Sequence, residues 1–223
     1  MTDSNLVRLG GIFGLLAVVA RIPGLFVGYP DSPASPEEAS SYFATEVSMF
    51  VLFNGVFVLF SIFFLVLFVG VLYRMLRRAE ESAQRGGGLT AAALAGGILF
   101  ATLSAVGTAA EILYPATVLR FGVLEPEAQF VLVSLTFSSW LYHFGQMGAS
   151  ALVLVTSLVA LETGVLPKWL VLAGFVVALL TLLHFLLPLV AVVGGLLWLA
   201  AVSVLMLSGG VESMGGPRRR TVH

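Results

Sequence analysis

Six polar side chains lie within the apolar stretches of this sequence, where their presence needs a chemical explanation. They are Arg21, Asn54, Glu111, His143, Gln146 and His184. An unpartnered polar group in an apolar interior costs roughly 2–7 kcal/mol, and ionisable residues within membrane helices face the bundle interior and mark functional sites. These six residues are therefore the predicted ligand-binding residues.

The same residue types allow several kinds of chemistry. The guanidinium of Arg21 could bind an anionic group through its fork of donors, or it could form an ion pair with Glu111 that locks two helices together. His143 and His184 could be axial ligands of a b-type haem between neighbouring helices. With Glu111 they could instead hold a metal ion, or Glu111 and His143 could act as an acid–base pair. Asn54 is expected to hydrogen-bond between helices.

Composition decides the class of protein in which these residues act. The chain has 223 residues, of which 59% are hydrophobic and 10% charged, whereas soluble domains carry about 25% charged residues. Four runs contain no Asp, Glu, Lys or Arg, and a fifth contains only Arg21: residues 47–73, 86–110, 128–161, 169–211 and 9–30. Each run exceeds the ~18 apolar residues that mark a membrane-spanning helix. The sequence therefore predicts an all-α polytopic membrane protein, and because it has no cysteine, thiolate chemistry and disulfides are excluded.

The hydrophobic runs predict one domain of six transmembrane helices. We expect them at about 6–28, 47–75, 89–115, 128–161, 168–186 and 190–208. The first is expected to be a retained helix rather than a signal peptide, because Arg21 interrupts it, and Pro23 should kink it. With six helices, nine of the eleven Lys and Arg residues fall on one side of the membrane. The positive-inside rule then places both termini in the cytoplasm.

The segments between and after the helices carry weaker signals. Ser35 followed by Pro36, Glu37 and Glu38 predicts the start of a short interfacial helix in the loop 29–46. A second loop is expected at 116–127. Residues 209–223 are predicted to be a cytoplasmic tail, in which the basic run Arg218–Arg220 is attracted to anionic lipid.

The fourth predicted helix carries a polar seam. Its members recur at spacings of three and four residues, with one gap: Thr136, Ser139, His143, Gln146, Ser150 and Ser157. In a membrane such side chains point towards partner helices. Counting along the helices at ~1.5 Å per residue places Arg21, Asn54, Glu111 and both histidines between the bilayer midplane and the outer surface. We therefore predict one polar cluster that opens outward.

A turn motif adds a family resemblance. The stretch Thr163–Leu170, with the letters TGVLPKWL, is followed by Leu172-Ala-Gly174. Together with a glycine-rich first helix that contains an arginine and a long fourth helix, it resembles a bacterial integral membrane protein family, domain of unknown function 4386. The resemblance implies a six-helix protein of the bacterial cytoplasmic (inner) membrane. It implies no catalytic residues, because that family has no assigned chemistry.

Three classes of function remain open from the sequence. The first is an outward-facing polar cavity that binds a small amphipathic or lipid-like ligand. The second is an accessory or structural subunit of a membrane complex, with a partner subunit packed against a phenylalanine stripe: Phe50, Phe53, Phe57, Phe60 and Phe64. The third is a b-type haem or metal-dependent intramembrane enzyme that uses His143, His184 and Glu111, so the cofactor stays undetermined. Membrane lipid is the expected surrounding partner, and nucleic acid is not expected because no soluble domain is present to bind it.

Overall fold

A computed structural model describes residues 3–26, 47–121 and 128–209, and all regular secondary structure in these ranges is helical. The helices, in chain order, are α1 (Asp3–Arg21), α2 (Pro23–Phe26), α3 (Val58–Ser82), α4 (Gly88–Phe121), α5 (Ala128–Thr163), α6 (Lys168–Leu182) and α7 (Pro188–Leu207). A π-helical segment, Val51–Phe57, leads directly into α3, so that the helical run is continuous over Val47–Ser82. The all-α class predicted from the sequence is confirmed.

Five helical stretches are long and apolar enough to cross a membrane. They are Asp3–Phe26, Val47–Ser82, Gly88–Phe121, Gln129–Thr163 and Pro188–Ser208. Helix α6 is also apolar but has only 15 residues, which corresponds to about 22 Å against a hydrocarbon thickness of ~30 Å. The five long stretches indicate a multi-pass membrane protein.

The six main helices pack as a closed ring in chain order. Helix α1 contacts α3, α3 contacts α4, and the most extensive interface joins α4 to α5. Helix α5 then contacts α6, α6 contacts α7, and α7 returns to α1. The return is close because α1 presents glycine: a Cβ at Gly10 would lie 2.5 Å from Val71 and 2.7 Å from Met206. Absence of a side chain there lets α1 fit between α3 and α7.

Several helix ends differ from the sequence prediction, and α6 ends at Leu182 rather than at residue 186. Helix α4 continues through Pro115 to Phe121, whereas the prediction ended it at residue 115. The proline removes only the donor to the carbonyl of Glu111, and packing holds the helix beyond it. The residues concerned form a separate apolar cluster of the segment before α3, the end of α4 and the start of α5: Phe50, Tyr114, Val118, Val131 and Leu135. Helix α3 likewise extends to Ser82 rather than ending near residue 75.

The expected break in the first helix is present, and other predictions fall outside the described ranges. Helix α1 ends at Arg21 and α2 begins at Pro23, as a proline without a backbone donor requires. The interfacial helix predicted from Ser35, residues 122–127 of the second loop and the basic tail at Arg218–Arg220 all lie outside the described residues.

Basic and acidic side chains meet at the end of the ring where α1 begins and α3 ends. Asp3 pairs with Arg78 at 2.6 Å and with Arg74 at 3.1 Å. Arg85, in the α3–α4 turn, pairs with Glu162 of α5 at 2.8 Å. These partly exposed pairs join α1 to α3 and the α3–α4 turn to α5, and they define one polar end of the bundle.

Candidate ligand cavity and histidine pair

A cavity of about 190 Å³ lies inside the helix ring, and α1, α3, α4, α5, α6 and α7 all contribute to its wall. Two of its lining residues, Arg21 and Glu111, carry charge, and a third, Gln146, is also among the predicted ligand-binding residues. The structure therefore brings three of the six predicted residues to one cavity.

The wall contributed by α4 changes character along the helix. It begins with Phe100 and Leu103, continues through Ser104 and Thr108, and ends at Glu111. The residues follow spacings of three and four, so they form one helix face. Along this face the cavity passes from apolar to charged.

Helix α5 shows the same change in the opposite chain direction. Its cavity face runs from Ser138 through Tyr142 and Gln146 to Leu152 and Val153. The two helices are antiparallel, and a Cβ at Gly107 of α4 would lie 3.4 Å from the Cβ of Leu141 in α5. The polar ends of both faces therefore coincide, and the cavity has one polar end and one apolar end.

Arg21 and Glu111 share the polar end without touching. They make no direct ion pair within 4.0 Å in the part of the chain that the structure describes, which leaves the other alternative, that Arg21 binds an anionic group. Both nevertheless line the same cavity, and Tyr142 of α5 lines it with them. Arg21 follows Asp3 by 18 residues in α1, which is about 27 Å at 1.5 Å per residue. The polar end of the cavity is thus opposite the Asp3–Arg78 end of the bundle.

His143 and His184 form a second, separate site. His143 Nδ1 lies 2.6 Å from His184 Nε2, and His184 Nδ1 lies 2.9 Å from the carbonyl oxygen of Thr181. His143 is half-buried in α5, while His184 is 5% exposed in the turn after α6. Neither histidine lines the cavity. Tyr142 links the two sites because it lines the cavity and also contacts both histidines. The centroid of its ring lies 5.9 Å from that of His143 and 5.5 Å from that of His184.

The geometry of this pair does not fit the haem or metal hypotheses. A metal–imidazole bond is about 2.0 Å long, so two nitrogens that share one ion lie about 3.3 Å apart in a tetrahedral site and about 4 Å apart when they are on opposite sides of the metal. Both distances exceed the observed 2.6 Å. Glu111 does not join the histidines: within the described ranges, no group of three or more His, Asp or Glu side chains is arranged to hold a metal. The two imidazoles instead bind each other directly.

Asn54 lies beside the cavity wall in a different local structure. It is 7% exposed, and its Nδ2 has no hydrogen-bond partner among the described residues. It belongs to the π-helical segment, and a Cβ at Gly24 would lie 3.0 Å from its Oδ1. Glycine in α2 therefore leaves room for the Asn54 side chain. Such π-helical turns within α-helices occur frequently at functional sites.

The polar seam predicted on α5 is correct at one end only. Thr136 and Ser139 are exposed, whereas Gln146, Ser150 and Ser157 are buried. Ser150 donates to the carbonyl of Ala178 in α6 at 2.8 Å. The cavity residues that the prediction missed, Ser138 and Tyr142, precede Gln146 by eight and four residues, and a spacing of four could have found them.

The turn that carries the family resemblance has a structural explanation. Gly164 has a φ of 71°, a left-handed conformation that glycine adopts readily, and Pro167 is the residue before α6. Thr163 Oγ1 donates to the carbonyl of Val159 at 2.7 Å. No family model, curated protein or solved structure matches this chain. The cavity and the histidine pair are therefore the two features from which a function can be inferred.

Proposed function

We propose that this protein binds a small amphipathic ligand in the cavity enclosed by its helix ring. The observation that carries the proposal is the matched change from apolar to polar along the cavity faces of α4 and α5. An apolar group would occupy the end lined by Phe100, Leu152 and Val153. A polar group would lie at the end lined by Arg21, Glu111 and Tyr142.

The polar end favours a ligand that carries both a negative and a positive group. Arg21 offers a planar fork of donors to a phosphate or carboxylate, while Glu111 offers an acceptor to an ammonium group. Because the two side chains are not paired directly, both remain available to a ligand. A volume of about 190 Å³ is close to that of a cavity of ~150 Å³ that holds benzene, so the buried part of the ligand is small.

We further propose that the chain is a six-span protein of the bacterial cytoplasmic membrane with both termini in the cytoplasm. Basic residues at the Asp3 end of the bundle support this orientation under the positive-inside rule: Arg8, Arg74, Arg77, Arg78, Arg85 and Lys168. The short α6 is supported as a span by the turn 183–187, which is apolar apart from His184 and lengthens it before α7 begins. The bacterial location is what the resemblance of Thr163–Leu170 implies.

Topology can be tested by thiol labelling, since the chain contains no cysteine. Gly86→Cys, in the α3–α4 turn, should react with a membrane-impermeant maleimide only after the cells are opened. Arg120→Cys, at the far end of α4, should react in intact spheroplasts. The reverse pattern would invert the proposed orientation, and labelling of both residues from one side would contradict six spans.

The binding proposal can be tested by filling the cavity. Gly195 of α7 lines it, and a Cβ there would meet no atom within 4 Å. We expect Gly195→Leu to occupy much of the volume while the fold is retained. Gly70→Leu is the matched control, because Gly70 is an exposed helical glycine outside the cavity wall, also with no atom within 4 Å of its Cβ.

Native mass spectrometry of protein purified in a mild detergent is the first measurement. A non-covalent lipid or metabolite adduct should be present on the wild-type and Gly70→Leu proteins and reduced at least tenfold on Gly195→Leu. A thermal-shift series with lysophospholipids of zwitterionic and anionic headgroup should show the same order. Equal adducts on all three proteins would contradict the cavity, and a constant protein partner with no adduct would favour an accessory subunit.

A further inference from the structure

We propose that His143 and His184 form a binding site for one excess proton, which the two imidazoles hold as a single unit. The pair lies outside the cavity wall, so the proposal does not depend on the cavity ligand. It rests on the direct contact of the rings, on the hydrogen bond to Thr181 and on the side chains around the pair.

The hydrogen bonds determine where the protons lie. A carbonyl oxygen only accepts, so His184 Nδ1, 2.9 Å from the Thr181 oxygen, carries a hydrogen. In the neutral ring the other nitrogen, Nε2, is then an acceptor. His143 Nδ1, 2.6 Å from that acceptor, must therefore carry a hydrogen and donate it. The remaining nitrogen, His143 Nε2, accepts no hydrogen bond from the described residues, so its lone pair can take a proton.

This arrangement accepts one proton with a balanced transfer. An added proton binds the lone pair of His143 Nε2, and His143 becomes a cation that donates from Nδ1 to His184. The Nδ1 hydrogen can then cross the short contact to His184 Nε2. His143 is neutral again, with its hydrogen on Nε2, and His184 carries the charge while both of its nitrogens donate. The net change is one bound proton.

A second proton is disfavoured by the same geometry. With both rings charged, two cations would be in contact, and each would present a hydrogen to the other across the 2.6 Å gap. Like charges in contact oppose double ionisation, so interacting groups lose their protons in separate macroscopic steps. The pair is therefore expected to take up one proton where two independent histidines would take up two.

Among the residues that the structure describes, few titratable side chains lie on the helices around the pair. Tyr142 of α5 is the titratable side chain in ring contact with both histidines. From α4, Glu111 faces the cavity, as does Arg21 from α1. Helix α7 contains no titratable residue, and the only one in α6, Lys168, precedes His184 by 16 residues. Within the described ranges, no carboxylate lies within 4.0 Å of a ring nitrogen of either histidine, so the proposal does not require an acidic partner there.

The test uses the small number of histidines, of which the chain has three. Protein labelled with ¹⁵N-histidine in nanodiscs would be titrated by NMR between about pH 5 and pH 8, where histidine ordinarily changes charge. Signals would be assigned with His143→Gln, His184→Gln and His223→Asn, the last serving as a control outside the pair. The neutral pair should show a coupling across the N–H···N hydrogen bond.

We expect the His143 and His184 signals to move together and to account for one proton between them. In His184→Gln, the His143 signal should titrate alone, with a changed midpoint, while His223→Asn leaves the pair unchanged. Two full, independent titrations in the wild type would overturn the proposal, as would no titration of either ring. Because the wild-type measurement is decisive, a variant that fails to fold does not weaken the test, and loss of the cavity ligand would not affect it.

Discussion

The carboxylate of Glu80 accepts hydrogen bonds from both the backbone N–H of Thr90, at 3.2 Å, and its hydroxyl. Glu80 belongs to the last turns of α3 and is 2% exposed, whereas Thr90 is the third residue of α4. A carboxylate at this position satisfies an otherwise free N–H at the start of a helix and interacts favourably with the helix dipole. One side chain thus fixes how α3 and α4 meet.

Glu80→Ala should lower the free energy of unfolding by about 1–3 kcal/mol, because the N–H and hydroxyl of Thr90 would be left buried without an acceptor. Thermal unfolding in detergent would measure the change. Glu81→Ala is the control: its carboxylate pairs with Arg77 at 2.7 Å on the exposed surface, where such pairs contribute at most about 1 kcal/mol. Equal losses for both variants would contradict the role given to Glu80.

Gly174→Ala should disturb the contact of α6 with α5 and α7. A Cβ at this residue would meet Ser157 Oγ and would lie 2.8 Å from Trp198 Nε1. We expect a loss of about 1–3 kcal/mol, the range for overpacked sites, measured by unfolding in detergent. Adding Ser157→Ala should restore part of it by removing one obstacle. Gly70→Ala, where nothing lies near the added atom, should stabilise the helix by about 0.5–1 kcal/mol.

The helices could be predicted from the sequence because bilayer thickness forces long apolar runs. The break before Pro23 also followed from local chemistry. The end of α4 could not be predicted from local chemistry, because the packing of Tyr114 and Val118 in a separate cluster stabilises the helix beyond Pro115. The presence of a proline in the sequence does not reveal a tertiary contact of this kind.

Which residues line the cavity could be predicted from the sequence better than how the polar residues are arranged in space. In the sequence, Arg21 and Gln146 lie within apolar runs and Glu111 follows one directly, which indicated that these side chains face the bundle interior. All three line one cavity. His143 and His184 lie outside the cavity wall and contact each other. This contact depends on where the turn after α6 lies, because that turn carries His184. His184 is the only polar residue of this turn, residues 183–187, and a single histidine in an apolar run did not mark where α6 ends.

Asn54→Leu should stabilise the protein, because Asn54 Nδ2 is buried without a partner in the described part of the chain. Replacing an unsatisfied buried amide by an apolar side chain of similar size should recover about 1 kcal/mol or more. Thr156→Val is the matched case, since Thr156 Oγ1 is likewise buried and unpartnered. If Thr156→Val stabilises and Asn54→Leu destabilises, the role of Asn54 as an unsatisfied buried amide is contradicted.

Arg21 and Glu111 should be energetically coupled although they do not touch. Both side chains line the polar end of one cavity, so that Arg21→Met or Glu111→Gln alone leaves the remaining charge there without its counter-charge. The double variant should be more stable than the sum of the single losses predicts, with a coupling of about 0.5–1 kcal/mol, the lower part of the range for interacting residues. Unfolding free energies in bicelles would give this value.

The cycle of Arg21→Met with Glu81→Gln, at the opposite end of the bundle, is the control and should be additive. A zwitterionic ligand bound between the two charges should increase the Arg21–Glu111 coupling, and a coupling equal to that of the control cycle would remove the electrostatic basis for the polar end of the cavity.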